Sequence, residues 1–75
     1  MASKEVAGTA SDLYSKGNEA FVNENYSSAI EQYTQALAQD NVFPDALVAR
    51  AHAFIKTDKF EEAKKDADKA IDILR

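Results

Sequence analysis

The chain has 75 residues, of which 45% are hydrophobic, and a formal net charge of −4. A chain of this length forms at most one small domain with a limited core, and its lack of cysteine excludes disulfides as a source of stability. The negative charge argues against binding to nucleic acid or to anionic membranes. The first residues lack the apolar stretch of a secretory signal, and no apolar run approaches the roughly 20 residues of a membrane span.

Apolar residues at helical spacing predict four helices along the chain. The first two apolar stripes are separated at residues 23–25, where two asparagines favour a turn. Residues 40–43 separate the second stripe from the third, and Pro44 suits the first turn of a new helix. Residues 1–10 are expected to form a flexible segment. The predicted helices span residues 11–23, 26–39, 44–57 and 60–74.

The chain repeats its pattern of side-chain sizes with a period of 34 residues. Small residues at Gly17 and Ala51 let their helices approach a neighbour closely, whereas Tyr26 and Phe60 place an aromatic ring between helices. The matching pairs are Leu13 and Leu47, Gly17 and Ala51, Tyr26 and Phe60, Ala29 and Ala63, Ala36 and Ala70, and Leu37 and Ile71. The alternative is a generic four-helix bundle in which this spacing is a coincidence.

This repeated pattern resembles the tetratricopeptide repeat, a helix–turn–helix unit of 34 residues. The resemblance implies an all-α fold of antiparallel helix-turn-helix repeats, with four helices that form a fragment of a right-handed α-solenoid. It places the domain at residues 11–75, with repeat 1 at about 10–43 and repeat 2 at about 44–75. The chain departs from the family where Asn41 and Arg75 replace the usual terminal proline, and where Ala20 replaces an aromatic residue.

A narrower resemblance lies in residues 50–71, which are similar to the second repeat of the suppressor-of-G-two-allele-of-Skp co-chaperones. It implies an adaptor of the cytoplasm and nucleus whose repeats contact the Skp subunit of cullin ubiquitin ligases and self-associate. In that family a separate downstream domain engages the ninety-kilodalton heat-shock chaperone, so this chain would be a fragment. The matching residues are Arg50, Ala51, Ala53, Ile55, Lys56, Asp58, Phe60, Glu62, Ala63, Asp66, Ala67, Lys69, Ala70 and Ile71.

The first helix of each repeat lines the concave face of such arrays, so its outward residues are candidates for partner binding. Asn18 and His52 occupy equivalent positions, and both offer hydrogen bonds among apolar neighbours. For single apolar residues the alternative is ordinary packing between helices, and for His52 it is a merely exposed side chain. The predicted partner-binding groove consists of Tyr14, Asn18, Phe21, Val22, Val48, His52, Ile55 and Lys56.

One subset of the family binds the C-terminal carboxylate of heat-shock chaperones through a clamp of lysines, asparagines and an arginine. Asn18 fits this clamp, but Tyr14 stands in place of its first lysine and Ala49 in place of an asparagine. A tyrosine cannot supply the fixed positive charge that a carboxylate needs. We therefore predict no tight binding of acidic C-terminal peptides.

The fourth predicted helix has an apolar edge with no following helix to cover it. This edge predicts a homodimer formed through Phe60, Ala67, Ile71 and Leu74. Catalysis has no support in the sequence, because His52 is the only histidine and no serine has a recognisable partner. No metal or cofactor is expected either. The sequence leaves two functions open, a docking adaptor and a self-association module.

Overall fold

A computed structural model describes residues 8–75, which form four helices and no strand. In chain order the helices are α1 (Ala10–Val22), α2 (Tyr26–Gln39), α3 (Pro44–Lys56) and α4 (Phe60–Leu74). The predicted all-α fold of two antiparallel helix pairs is confirmed. The second and fourth helices have the predicted bounds, and the first and third end one residue earlier than predicted.

The start of α1 is fixed by a reciprocal cap, which explains why the helix begins one residue earlier than expected. The Thr9 side chain accepts a hydrogen bond from the Asp12 N–H at 3.2 Å, and the Asp12 carboxylate accepts one from the Thr9 N–H at 3.3 Å. Each bond satisfies a donor that the first helical turn leaves without a partner. The predicted flexible segment 1–10 therefore overlaps the capped helix at its last two residues, and residues 1–7 lie outside the described part.

The turns within the two helix pairs have the same backbone geometry. Glu24 and Asp58, which are 34 residues apart, both have a φ of 63°. In both turns the residue that follows donates its N–H to the carbonyl five positions earlier at 2.8 Å. This is the Schellman arrangement, in which one left-handed residue ends the helix and reverses the chain.

The helices pack in sequence, with α1 on α2, α2 on α3 and α3 on α4. Tyr33 of α2 is the central side chain of the first contact, and it is fully buried. Gly17 of α1 makes room for this ring, because a Cβ atom at residue 17 would lie 2.6 Å from Cδ1 of Tyr33. On the other side, small residues of α3 cover Tyr33 and Leu37, among them Ala46 and Ala53.

An ion pair ties α3 to α4. The Arg50 guanidinium donates to both carboxylate oxygens of Asp66 at 2.7 Å and to the Thr34 hydroxyl at 3.2 Å. Asp66 is only 6% exposed, so its carboxylate depends on this partner for compensation. This pair was not predicted from the sequence. The further bond from Arg50 to Thr34 links the second repeat to α2.

Candidate functional site

The inner faces of α1 and α3 form a groove with residues stacked in pairs along its length. Tyr14 and Val48 are equivalent in the repeat, and so are Asn18 and His52, one helical turn further on. The groove has a volume of about 350 Å³. This inner groove is lined by Tyr14, Asn18, Phe21, Tyr33, Asp45, Val48, Ala49 and His52.

The aromatic residues of the inner groove are held by contacts with other rings. The Tyr14 ring lies 6.0 Å from the Tyr33 ring and 5.1 Å from the Phe43 ring, measured between centroids. Phe21 packs edge-on against Tyr26 at 5.2 Å. These separations are those of favourable aromatic pairs. Tyr14 and Phe21 are therefore half-buried, and their rings are held in place by neighbouring rings. A partner that contacts these rings would cost them little additional side-chain entropy.

A hydrogen bond from the core orients the central polar residue of the inner groove. The Tyr33 hydroxyl donates to Oδ1 of Asn18 at 2.6 Å. Burial raises the pKa of the Tyr33 phenol, and the nearby Tyr14 raises it further, so the hydroxyl keeps its proton at neutral pH. With its oxygen engaged, Asn18 presents its amino group to the groove as a donor.

A smaller adjoining groove of about 320 Å³ extends the inner groove toward the C-terminal end of α3. It is lined by Phe21, His52, Ile55 and Lys56. The structure thus brings together seven of the eight residues predicted for partner binding. Val22 does not line either groove and is 79% exposed. Tyr33 was missed, because its helical spacing marked it only as a core residue.

A third groove, the end groove, lies between α3 and α4 and has a volume of about 410 Å³. It is lined by Val48, Ala51, His52, Ile55, Phe60, Ala63, Lys64 and Ala67. Several of their equivalents in the first repeat, among them Ala29, Ile30 and Tyr33, pack in one cluster with Ala49 and Ala53 of α3. Two of the predicted self-association residues, Phe60 and Ala67, line the end groove, and Ile71 and Leu74 are exposed further along α4.

The described part of the chain offers neither a metal site nor a membrane anchor. Within residues 8–75, no group of three or more histidine, cysteine, aspartate or glutamate side chains is placed to hold a metal ion. None of the four described helices has the length and apolar character needed to cross a membrane. The lining of the inner groove combines apolar side chains with a few hydrogen-bonding groups. Stacked helical hairpins with an open groove of this kind define a class of protein-interaction modules.

Comparison with known proteins identifies a tetratricopeptide repeat in the second half of the chain. A family model described as tetratricopeptide repeat matches residues 44–73. "Protein SGT1 homolog" from Oryza sativa subsp. japonica is 42% identical over 64 residues, which are 85% of this chain and 17% of the relative. "Small glutamine-rich tetratricopeptide repeat-containing protein 2" from Saccharomyces cerevisiae is 38% identical over 71 residues, covering 92% of this chain and 20% of the relative. The chain thus spans about a fifth of the length of these curated relatives.

A solved structure agrees with the sequence relatives. The first tetratricopeptide repeat domain of Spaghetti (RPAP3), bound to the HSP90 peptide SRMEEVD, superposes with a TM-score of 0.85 at 32% sequence identity. The match covers 87% of this chain and 52% of that chain. Residues 44–73 are thus a tetratricopeptide repeat, and the four described helices have the fold of two such repeats, which resembles the protein-interaction modules of that family. The rice relative supports the narrower resemblance seen in residues 50–71.

Proposed function

We propose that this chain docks a partner protein in the inner groove and its adjoining groove. The observation that carries the proposal is the arrangement of paired residues from α1 and α3, in which aromatic and aliphatic side chains flank Asn18 and His52. Apolar anchors around a few oriented polar groups are the composition of binding hot spots. The aromatic contacts and the Tyr33 hydrogen bond fix these groups before a partner arrives.

The partner that we propose is a Skp-type subunit of a ubiquitin ligase, and a chaperone complex is the second candidate. Support for the first comes from the similarity to the SGT1 homolog, together with the residues shared over 50–71. Support for the second comes from the Spaghetti domain, whose structure contains an HSP90 peptide. In either case the chain acts as an adaptor, for which we propose a place in the cytoplasm and nucleus.

The charges of the inner groove argue against a chaperone tail as its ligand. SRMEEVD, the peptide bound to the Spaghetti domain, ends in acidic groups. In this chain Tyr14 and Ala49 occupy the positions expected to hold a clamp lysine and a clamp asparagine, and Asp45 adds a carboxylate to the lining. A carboxylate ligand near Asp45 would meet a like charge without a compensating cation. Contact with a chaperone complex would then use another part of the partner.

The test is capture of purified Skp-type subunit by the immobilised chain and by two variants. Tyr14→Ala combined with Phe21→Ala should weaken capture at least tenfold, since loss of two hot-spot aromatics costs more than about 2 kcal/mol. Val22→Ala, on the same helix but outside the groove, should bind as the parent does. Fluorescence anisotropy with labelled MEEVD, the acidic end of the SRMEEVD peptide, should give no saturable binding at micromolar concentrations. Capture that is equal for all variants would refute the groove as the docking site.

A second candidate function is self-association through the end groove and the exposed edge of α4. The observation that favours it is the exposure of large apolar side chains on one helix, where Phe60 and Ile71 are each 60% exposed and Leu74 is 68% exposed. Leu37, the equivalent of Ile71 in the first repeat, is by contrast buried against Ala46 and Leu47 of α3. An uncovered apolar surface of this kind is a typical contact for a second copy.

This candidate is tested by the mass of the chain in solution. We expect a concentration-dependent dimer by light scattering coupled to size exclusion, and Ile71→Asp should give a monomer because it buries a charge in the contact. Lys69→Asp, which changes charge on an exposed position of the same helix, is the matched control and should still dimerise. A parent chain that stays monomeric at millimolar concentration would rule the candidate out.

A further inference from the structure

The two ends of the inner channel carry opposite charges. Asp45, in the first turn of α3, lines the inner groove, and Lys56, in the last turn, lines the adjoining groove. Phe21 and His52 line both grooves, so the two form one continuous channel along α3. Asp45 and Lys56 are the acidic and basic side chains of α1 and α3 that line it, and Tyr14 and His52 are the other titratable ones.

Both charges are available to a ligand. Among residues 8–75, neither Asp45 nor Lys56 takes part in an ion pair, whereas Lys64 is paired with Asp68 and Arg50 with Asp66. The dipole of α3 offsets about half a unit charge at each end, because it is positive near Asp45 and negative near Lys56. A full side-chain charge exceeds this offset, so the channel remains negative at one end and positive at the other.

The length of the channel suits a short extended segment. Asp45 and Lys56 are eleven positions apart on α3, which corresponds to about 16 Å at 1.5 Å per residue. An extended chain covers this distance with about five residues at roughly 3.3 Å each. In the middle of the channel, the amino group of Asn18 is held ready to donate by the Tyr33 hydroxyl. An extended segment has main-chain carbonyls to accept this bond, whereas the carbonyls of a helix are already satisfied within the helix.

We propose that the channel binds an extended protein segment of about seven residues with a cationic side chain at one end and a carboxylate at the other. The cation lies by Asp45, the carboxylate lies by Lys56, and apolar side chains between them contact the Tyr14–Val48 and Phe21–Ile55 pairs. This inference rests on the proposed docking function and specifies the chemistry of the docked segment. It distinguishes this channel from one that selects an acidic tail.

The experiment uses four pools of blocked heptapeptides, with five varied residues between fixed ends. The ends are lysine and glutamate in either order, two lysines, or two glutamates, and blocking the termini removes their own charges. The parent chain should retain the two mixed pools about tenfold better than the like-charged pools, as expected for two partly exposed charge contacts. The preference should shrink as ionic strength rises from about 0.05 M to 0.5 M.

Charge reversal at each end of the channel gives the matched variants. Asp45→Lys should move the preference to the pool with two glutamates, and Lys56→Glu should move it to the pool with two lysines. The same pools with proline at the central position should keep the preference, because proline prevents a helix but not an extended segment. A parent chain without charge preference, variants with unchanged preference, or loss of binding with central proline would each overturn the inference.

These outcomes are separate from those that test docking itself. If Tyr14→Ala with Phe21→Ala abolishes capture of the partner protein while the pools show no charge preference, docking stands and the inference fails. If that double variant leaves capture unchanged, docking in the groove fails as well. Helical circular dichroism of each variant verifies that the two-repeat fold is intact.

Discussion

At the scale of single residues, the contact between Gly17 and Tyr33 decides how closely α1 and α2 approach. A Cβ atom at residue 17 would overlap the Tyr33 ring, which is only 1% exposed. Overpacking of this kind costs about 1–3 kcal/mol, and the higher helix propensity of alanine returns about 1 kcal/mol. The glycine is therefore a packing requirement, although glycine is otherwise unfavourable within a helix.

We predict that Gly17→Ala lowers the free energy of unfolding by about 1–2 kcal/mol. Urea denaturation followed by circular dichroism measures this change. Ser15→Ala, at an exposed position of the same helix, is the control and should be neutral or slightly stabilising. If both variants stabilised the chain, the Tyr33 ring would have to be mobile.

The raised pKa of Tyr33 predicts how stability depends on alkaline pH. Burial keeps this phenol protonated in the folded chain above its ordinary value of about 10. Since the unfolded chain releases the proton first, stability is fully present below about pH 10 and decreases as the pH rises toward the pKa of the folded state. Between about pH 9 and pH 11, Tyr33→Phe should therefore show a smaller decrease in the free energy of unfolding with pH than the parent chain, measured by urea titration at each pH. Equal slopes for the two chains would contradict it.

At the scale of elements, the two turns within the helix pairs are the same device used twice. Glu24 and Asp58 each hold a left-handed φ, which is unfavourable by about 1 kcal/mol for a residue with a Cβ atom. We predict that Glu24→Gly and Asp58→Gly each stabilise the chain by about 0.5–1 kcal/mol, measured by thermal unfolding. Glycine at Asn23, whose φ of −83° is ordinary, should instead be neutral or destabilising. Destabilisation by both turn variants would show that the carboxylates have a further role there.

The ion pair between α3 and α4 is the other inter-element contact with a measurable consequence. Arg50→Ala leaves the buried Asp66 carboxylate without its cation and should cost about 2–4 kcal/mol. Arg50→Lys should recover only part of this loss, because a lysine cannot make both hydrogen bonds of the guanidinium. The exposed pair of Lys64 and Asp68 is the internal control, and Lys64→Ala should change stability by less than about 0.5 kcal/mol. Equal losses for Arg50→Ala and Lys64→Ala would argue against burial as the cause.

At the scale of the whole molecule, the sequence predicts the architecture well and the contacts across it less well. Helix spacing, the asparagine-rich break at residues 23–25 and Pro44 are local features, so the bounds of the helices follow from them to within one residue. The partners of Asn18 and Asp66 are 15 and 16 residues away on other helices. The helical periodicity shows which face of its helix each residue occupies. Because several side chains share each face, periodicity does not predict which two of them form a hydrogen bond.

The channel was predicted in its composition but not in its polarity. The paired positions of α1 and α3 follow from the repeat, and the structure adds Tyr33 from α2 and the carboxylate of Asp45. Comparing the two repeats draws attention to positions where their residues are similar. Asp45 and Lys56 have no charged counterpart in α1, where the equivalent residues are Ser11 and Val22. The difference between the repeats, rather than their similarity, therefore determines the electrostatics of the channel.

The two repeats also differ in side-chain size at one position between helices, and this difference affects how copies of each repeat can be stacked. Tyr33 presents a bulky ring to the small residues of α3, whereas its equivalent, Ala67, presents a methyl group. A tandem array made by duplicating residues 10–43 would have a ring at every junction, but one made by duplicating residues 44–75 would have an empty volume at each. For a designer extending this scaffold, the two modules are not interchangeable. A large side chain at position 67 would also require glycine in place of Ala51, because the ring of Tyr33 fits only where Gly17 lacks a Cβ atom.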